Sequence, residues 1–123
     1  MDVNKIGANV SFGYSHQLKT LFKKGKLPTV KKGFYGGDLS IDTVSLEHMQ
    51  PHSQGGRTIL ENLVLATKKN NNARGNASIL DFCNVEHIKT YLKQFEDVVV
   101  AGFVGNEYIK KITKTLKNMG VNL

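Results

Sequence analysis

Apolar positions along the chain fall into short periodic runs divided by polar, glycine-marked breaks. In residues 15–24, SHQLKTLFKK, Leu18, Leu21 and Phe22 recur at i, i+3 and i+4, the spacing of one helix face. Ser15 stands where a side-chain oxygen caps a first turn, and Gly25 offers a left-handed residue to end the helix. Pro28 forces Leu27 away from the α region, so GKLPTVKKG reads as an exposed basic connector. Phe34-Tyr35 before Gly36-Gly37 suggests a turn or knuckle. Ile41, Val44 and Leu46 are strand-like, and Ser45 to Met49 alternates polar and apolar. PHSQGGRT is a loop, and ENLVLAT a second short strand with Leu63 and Leu65 on one side.

The stretch TKKNNNARG pulls two ways. Each asparagine costs about 0.5 kcal/mol in a helix relative to alanine. Ala66, Ala73 and Arg74 nonetheless favour a helix, and Gly75 is a natural stop. We expect a helix over about 66–74, formed for a reason other than propensity. Asn84 is placed to cap a helix through Phe95, with Val85, Ile88, Leu92 and Phe95 on one face. VVVAGFV is either a buried strand or an extended link. Asn106 is placed to cap a last helix, with Ile109, Ile112 and Leu116 at helical spacing and Gly120 closing it. The expected class is α+β.

Composition narrows the setting. A chain of 123 residues has room for one domain with one core. No apolar run approaches the roughly 20 residues that cross a bilayer. MDVNKIGANVSFGY lacks the apolar centre of a signal peptide, so the expectation is an intracellular, cytoplasmic protein without a membrane partner. The single Cys83 excludes an intrachain disulfide and a cysteine-rich zinc cage; beside Phe82 it reads as a small core residue. Lys and Arg number 17 against 10 Asp and Glu, giving a net charge of +7. Residues 1–32 hold Lys5, Lys19, Lys23, Lys24, Lys26, Lys31 and Lys32 against only Asp2, and Lys110, Lys111, Lys114 and Lys117 form a second group. Such surfaces attract phosphate backbones, although charge alone equally describes a solvated face.

Candidate chemistry sits in Ser45–Gly56, SLEHMQPHSQGG, which holds two of the four histidines. Adjacent strand residues point to opposite faces, so Glu47 and His48 flank a common centre only if the strand ends there. Pro51 helps stop it, and Gly55-Gly56 permits a wide reversal into the next strand. Hairpin then helix gives a β, β, α order in which Asn71 is able to face back toward the strand carrying Glu47. A carboxylate and an amide oxygen suit a hard cation such as Mg²⁺, whose shell is completed by water and phosphate. His48, with an ordinary pKa near 6.5, is suited to take a proton from water. A metal, a base and basic residues together make a phosphodiesterase.

Segment 45–76 resembles the HNH nuclease motif, the ββα-metal core. Glu47-His48, Pro51, the Gly55-Gly56 loop, Asn62 before Leu63-Val64-Leu65, then Asn71 and Arg74-Gly75 follow that motif in order. The resemblance implies a divalent-metal-dependent endonuclease that hydrolyses DNA, double-stranded DNA foremost, with Mg²⁺ or Mn²⁺ and no small-molecule cofactor. His48 would be the general base, and Glu47 and Asn71 the metal ligands. Asn62 would pin the loop that orients His48. The triple Asn70-Asn71-Asn72 leaves the register open by one. Arg57, Lys68, Lys69 and Arg74 would contact phosphate; His52 either joins them or is a bystander. His16 and His87 receive no role. On this reading residues 1–32 are a basic helix and connector, 33–76 the ββα core, and 77–123 a C-terminal helical extension.

The chain departs from many relatives of that family at the two Cys-x-x-Cys pairs that hold a structural zinc. Gly33 and Gly36 stand at the first pair, Thr67 and Asn70 at the second, so no structural zinc is expected. Packing by Phe34, Tyr35, Leu39 and the flanking helices would have to take its place. A non-catalytic DNA-binding or inhibitory module on the same scaffold is the alternative.

Overall fold

Helix α1 spans residues 17–23 and ends as its glycine suggests. Gly25 takes φ 73°, and the amides of Gly25 and Lys26 return to the carbonyls of Phe22 and Leu21 at 3.0 and 2.9 Å. The computed structural model describes residues 17–123; the Ser15 cap and His16 lie outside the described residues. Strand β1 (Val44–His48) and strand β2 (Leu63–Thr67) follow, joined through short 3₁₀ turns at His52–Gln54 and Leu60–Asn62. Helices α2 (Lys68–Arg74), α3 (Ile79–Phe82) and α4 (Val85–Lys93), a small hairpin of β3 (Val99–Val100) and β4 (Phe103–Val104), and α5 (Gly105–Asn118) complete an α+β fold. No helix among the described residues is long and apolar enough to cross a membrane.

β1 and β2 pair antiparallel, with Val44 opposite Thr67 and His48 opposite Leu63. Ile41, read as strand, lies in the preceding turn and is exposed. Every residue of β2 is buried, so its outer edge needs partners for its backbone groups. Aromatic residues from distant elements provide them. The Leu65 amide donates to the Tyr91 hydroxyl at 2.9 Å, and the Phe34 amide donates to the Leu65 carbonyl at 2.9 Å. The Tyr108 hydroxyl donates to the Leu63 carbonyl at 2.7 Å and stands 2.8 Å from that of Tyr91. Because Tyr108 has only one proton, Tyr91 is the donor between the two. Burial raises both phenols above their ordinary range, which keeps the chain of donors intact. Phe95 packs against Tyr91 and Tyr108 at ring distances of 5.1 and 4.9 Å, placing an aromatic centre directly behind the hairpin.

α2 starts at Lys68, two residues after the expected beginning, because Thr67 caps it by accepting the Asn70 amide at 3.1 Å. Its asparagines are held by tertiary bonds, which supplies what propensity lacks. Asn70 Nδ2 donates to the Gly36 carbonyl at 3.2 Å, and Asn71 Nδ2 to Ser45 Oγ at 2.8 Å. The first bond ties α2 to a knuckle at residues 32–38, closed by Gly33–Gly37 and Gly36–Gly33 backbone bonds. Phe34 and Tyr35 turn inward from it and pack edge-on against Tyr91 and Phe82 at 5.6 and 5.0 Å. Of Gly33, Gly36, Thr67 and Asn70, the positions that the resemblance sets against cysteines, Gly36 and Asn70 join the knuckle to α2 by a direct hydrogen bond. Gly36 sits at φ 86°, a conformation that strains any residue with a side chain, and an added Cβ would have to displace the His87 ring, 2.8 Å away.

Two local expectations are corrected. VVVAGFV is neither a buried strand nor an extended link but a tight hairpin, Val99 opposite Val104 and Val100 opposite Phe103. Ala101 and Gly102 take φ 48° and 83°, the paired left-handed residues that match the strand twist of a two-residue turn. Asn106 does not cap α5, whose N-cap is Val104. Its side chain instead accepts the Asp97 amide at 3.0 Å and donates to Asp97 Oδ1 at 3.2 Å. Asn84 does cap α4, accepting the His87 amide, and Gly120, at φ 94°, follows the last turn of α5.

Candidate functional site

Alternation along β1 places Ser45 and Glu47 on one face, and α2 lies against that face. Asn71 and Arg74 are three residues apart on α2 and so lie on one side of it. They meet the strand in parallel, Asn71 on Ser45 and Arg74 on Glu47. Glu47 is buried, and its Oε2 accepts the Tyr35 hydroxyl at 2.7 Å and Arg74 Nη1 at 3.1 Å. Burial and the Glu47 charge push the Tyr35 phenol far above its ordinary value, so it stays protonated and donates. Among the described residues, Glu47 Oε1 and Asn71 Oδ1 accept no hydrogen bond.

Arg74 is the centre of this arrangement. Only 3% exposed, it reaches five protein acceptors. Nε donates to the Ala77 carbonyl at 2.8 Å; Nη1 to Tyr35, Glu47 and the His48 carbonyl at 3.0, 3.1 and 2.8 Å; Nη2 to the Met49 carbonyl at 2.6 Å. The fork thus holds the Glu47 side chain and the end of β1 together. The phosphate contact expected for Arg74 does not fit this burial, since each of its three guanidinium nitrogens already faces a protein oxygen.

His48 is the last residue of β1 and projects to the other side, toward the loop. Its Nε2 is 2.9 Å from Thr58 Oγ1, and the His52 ring stands edge-on at 6.1 Å. Burial, then the neighbouring His52, hold the imidazole below its ordinary pKa, with Glu47 acting in the opposite direction. The ring is therefore neutral near pH 7, and its Nδ1 has no partner among the described residues.

Asn62 organises the loop between the strands. Its Oδ1 accepts the Gln50 amide at 2.8 Å, while Nδ2 donates to the Gln50 and Arg57 carbonyls at 3.1 and 2.9 Å. Gly56 packs so closely that an added Cβ would lie 1.8 Å from the Gln50 carbonyl oxygen. Asn62→Ala removes three bonds at a buried site, and we expect it to lower unfolding free energy by about 1–3 kcal/mol in urea titration. A variant as stable as the parent would show that the loop holds its own shape.

Comparison with known protein families, curated proteins and solved structures finds no match. Glu47, Asn71, Ser45, Tyr35 and Arg74 gather between β1 and α2, while His48, His52, Thr58 and Asn62 gather at the strand end and loop. Arg57 is exposed in that loop. Lys68 and Lys69 are exposed at the far end of β2, about five strand residues or roughly 17 Å from the His48 level. Asn70 and Asn72 are separated from Asn71 by their surroundings: Asn70 holds the knuckle and Asn72 is exposed. No group of three His, Cys, Asp or Glu side chains gathers as a ready metal cage among the described residues.

Tyr35, Ser45 and Thr58 were missed from the sequence. Period-two alternation alone puts Ser45 on the face of Glu47, so that signal was present. Tyr35 and Thr58 lie 12 and 10 residues from their partners, across loops whose path the sequence does not dictate.

Proposed function

We propose that the chain is a divalent-metal-dependent endonuclease acting on DNA. The observation that carries this reading is the placement on one strand of a buried carboxylate with one oxygen unpartnered among the described residues and, at the strand's end, an imidazole whose Nδ1 is likewise unpartnered among them. The donor chemistry suits a hard cation: Glu47 Oε1 on β1 and Asn71 Oδ1 on the facing α2 are oxygens that accept no hydrogen bond among the described residues. Mg²⁺ or Mn²⁺ held there would neutralise charge growing on phosphate and leaving oxygen. Arg74 already balances the Glu47 charge, so protein ligands alone make a weak site, and substrate phosphate is needed to complete it.

His48 carries the proton transfer. A water proton passes to the free ring nitrogen as the water oxygen bonds to phosphorus. The bond from phosphorus to the 3′ oxygen breaks, and that oxygen takes a proton from solvent. Asn62 holds the loop whose Thr58 meets the ring, and Arg74 fixes the His48 carbonyl. Exposed Arg57, His52, Lys68 and Lys69 supply charge for the backbone of the duplex. The reading places the protein in the cell interior.

A supercoiled-plasmid assay tests it. We expect conversion to nicked or linear DNA with Mg²⁺ or Mn²⁺ and none with EDTA. Glu47→Gln, which keeps an acceptor for Tyr35 and Arg74, and Asn71→Ala should each raise the metal concentration for half-maximal cleavage. Metal dependence identical to the parent in both variants would remove them as ligands. The buried Glu47–Arg74 pair also favours a second reading, a DNA-binding or inhibitory module without cleavage. That reading gives salt-dependent retention on DNA that EDTA leaves unchanged, and an intact plasmid.

A further inference from the structure

We propose that the exposed face of α5, together with Arg57 of the neighbouring loop, is a binding surface for the phosphate backbone of duplex DNA. The choice of DNA as partner rests on the endonuclease reading above; the one-sided placement of charge does not. α5 has two unlike sides. Tyr108, Ile112 and Leu116, at i, i+4 and i+8, are fully buried in the core. Lys110, Lys114 and Lys117, at i, i+4 and i+7, lie on the opposite side with Lys111 at its margin, and all four are exposed. Lys110 meets Glu107 at 3.7 Å. Lys111, Lys114 and Lys117 have no polar partner among the described residues.

The position of this face joins it to the candidate site. α5 packs on the turn Leu60–Asn62, beside the loop in which Thr58 meets the His48 ring. Lys111 borders one cleft with Leu60 and Tyr108. Thr115, one turn further on, borders a second cleft of about 200 Å³ with Gly56 and Arg57. The basic margin of the helix therefore runs on into the loop, where the exposed Arg57 guanidinium also lacks a partner among the described residues. Two acids share this surface: Glu107, which pairs with Lys110, and half-buried Glu61. From Lys110 to Lys117 the helix rises about 10 Å, the length over which one strand of a duplex passes about three phosphates. The face lacks what other polyanions use. Its apolar residues are spent on the core, so α5 has no apolar side to bury in a membrane surface. No Phe or Tyr is exposed among the described residues to stack an unpaired base, the usual grip on a single strand.

The triple variant Lys111→Gln/Lys114→Gln/Lys117→Gln tests this, since glutamine keeps the helix preference and removes the charge. Binding of the full chain to a labelled DNA duplex of mixed sequence is measured in EDTA over a range of salt concentrations. Each lost phosphate contact lowers the slope of log affinity against log salt by about 0.9, so the triple variant should lose about 2–3 in slope. Arginine at the same three positions should keep the parent slope. Lys31→Gln/Lys89→Gln/Lys93→Gln, an equal loss of exposed charge on and beside α4, should change the slope by less than about one. A parent slope in the α5 triple, an equal fall in both triples, or a parent that does not bind the duplex overturns the proposal. So does tighter binding to a single strand of the same sequence, or to phosphatidylserine vesicles in place of the duplex. A parent that binds with these slopes yet nicks no plasmid with any divalent metal defeats the endonuclease reading alone. A parent that cleaves while the α5 triple keeps its slope defeats the α5 surface alone.

Discussion

His48→Ala should lower plasmid cleavage by about 10²–10⁴-fold, the usual range for removing a general base, while leaving salt-dependent retention on DNA intact. The second half of the expectation follows from the surroundings of the ring. Its described contacts are one loop hydroxyl and the edge of the His52 ring, so its loss frees no buried charge and opens no part of the aromatic centre. The neutral ring adds little to the electrostatic attraction of a chain with net charge +7. Circular dichroism and melting temperature should match the parent. Cleavage at the parent rate would reject His48 as the base. Purified alongside the parent, the variant also tests whether the activity belongs to this chain, because a contaminating nuclease ignores the substitution.

Elements with a local cause were legible in the sequence. The end of α1 at Gly25, the start of α4 at Asn84 and the last turn before Gly120 each depend on one residue with one stereochemical property. The hairpin order was legible because the two strands are short apolar runs on either side of a glycine-marked loop. The expected helix in KKNNNAR was harder. Its stability comes from the Thr67 cap and from tertiary bonds by Asn70, Asn71 and Arg74 to residues 25 to 39 positions away. Those bonds are tertiary, and local preference argues against them. Val99–Val104 was misread because the rare left-handed conformation falls on Ala101 as well as Gly102, and alanine gives no warning of it. Asn106 has the chemistry of a cap, but the left-handed Asp97 brings a free amide within its reach.

Site residues divide by the same rule. The sequence set Glu47 and His48 on one strand and Asn71 on the helix after the hairpin, and the structure has them on those elements. Burial was not legible. Arg74 was read as a phosphate contact, which needs an exposed cation, and only the packing of α2 on β1 turns it inward. The reading also missed that a tyrosine in the glycine-rich knuckle would reach the Glu47 carboxylate. Without cysteines the knuckle is held by aromatic packing, and that packing directs Tyr35 to the carboxylate.

The fate of Arg74 separates the two accounts of it. If it were a surface phosphate contact, Arg74→Met would weaken DNA binding, reduce the salt slope by about one and leave stability nearly unchanged. Its burial gives the opposite expectation. The side chains of Arg74 and Glu47 are 1% and 7% exposed, and removing one member of such a pair strands the other charge, at a cost of about 3–5 kcal/mol. The carbonyls of Met49 and Ala77 lose the guanidinium donor that reaches each of them. Urea unfolding should therefore show a large fall in midpoint for Arg74→Met, and Arg74→Lys should recover little, because one ammonium cannot span acceptors on three segments of chain. The double variant Glu47→Leu/Arg74→Met should be more stable than Arg74→Met alone, since the stranded carboxylate is gone. At a temperature where Arg74→Met remains folded, its DNA retention should keep the parent salt slope. A stability within about 1 kcal/mol of the parent, together with a reduced slope, would return Arg74 to the surface and dissolve the clamp on which the placement of Glu47 and His48 depends.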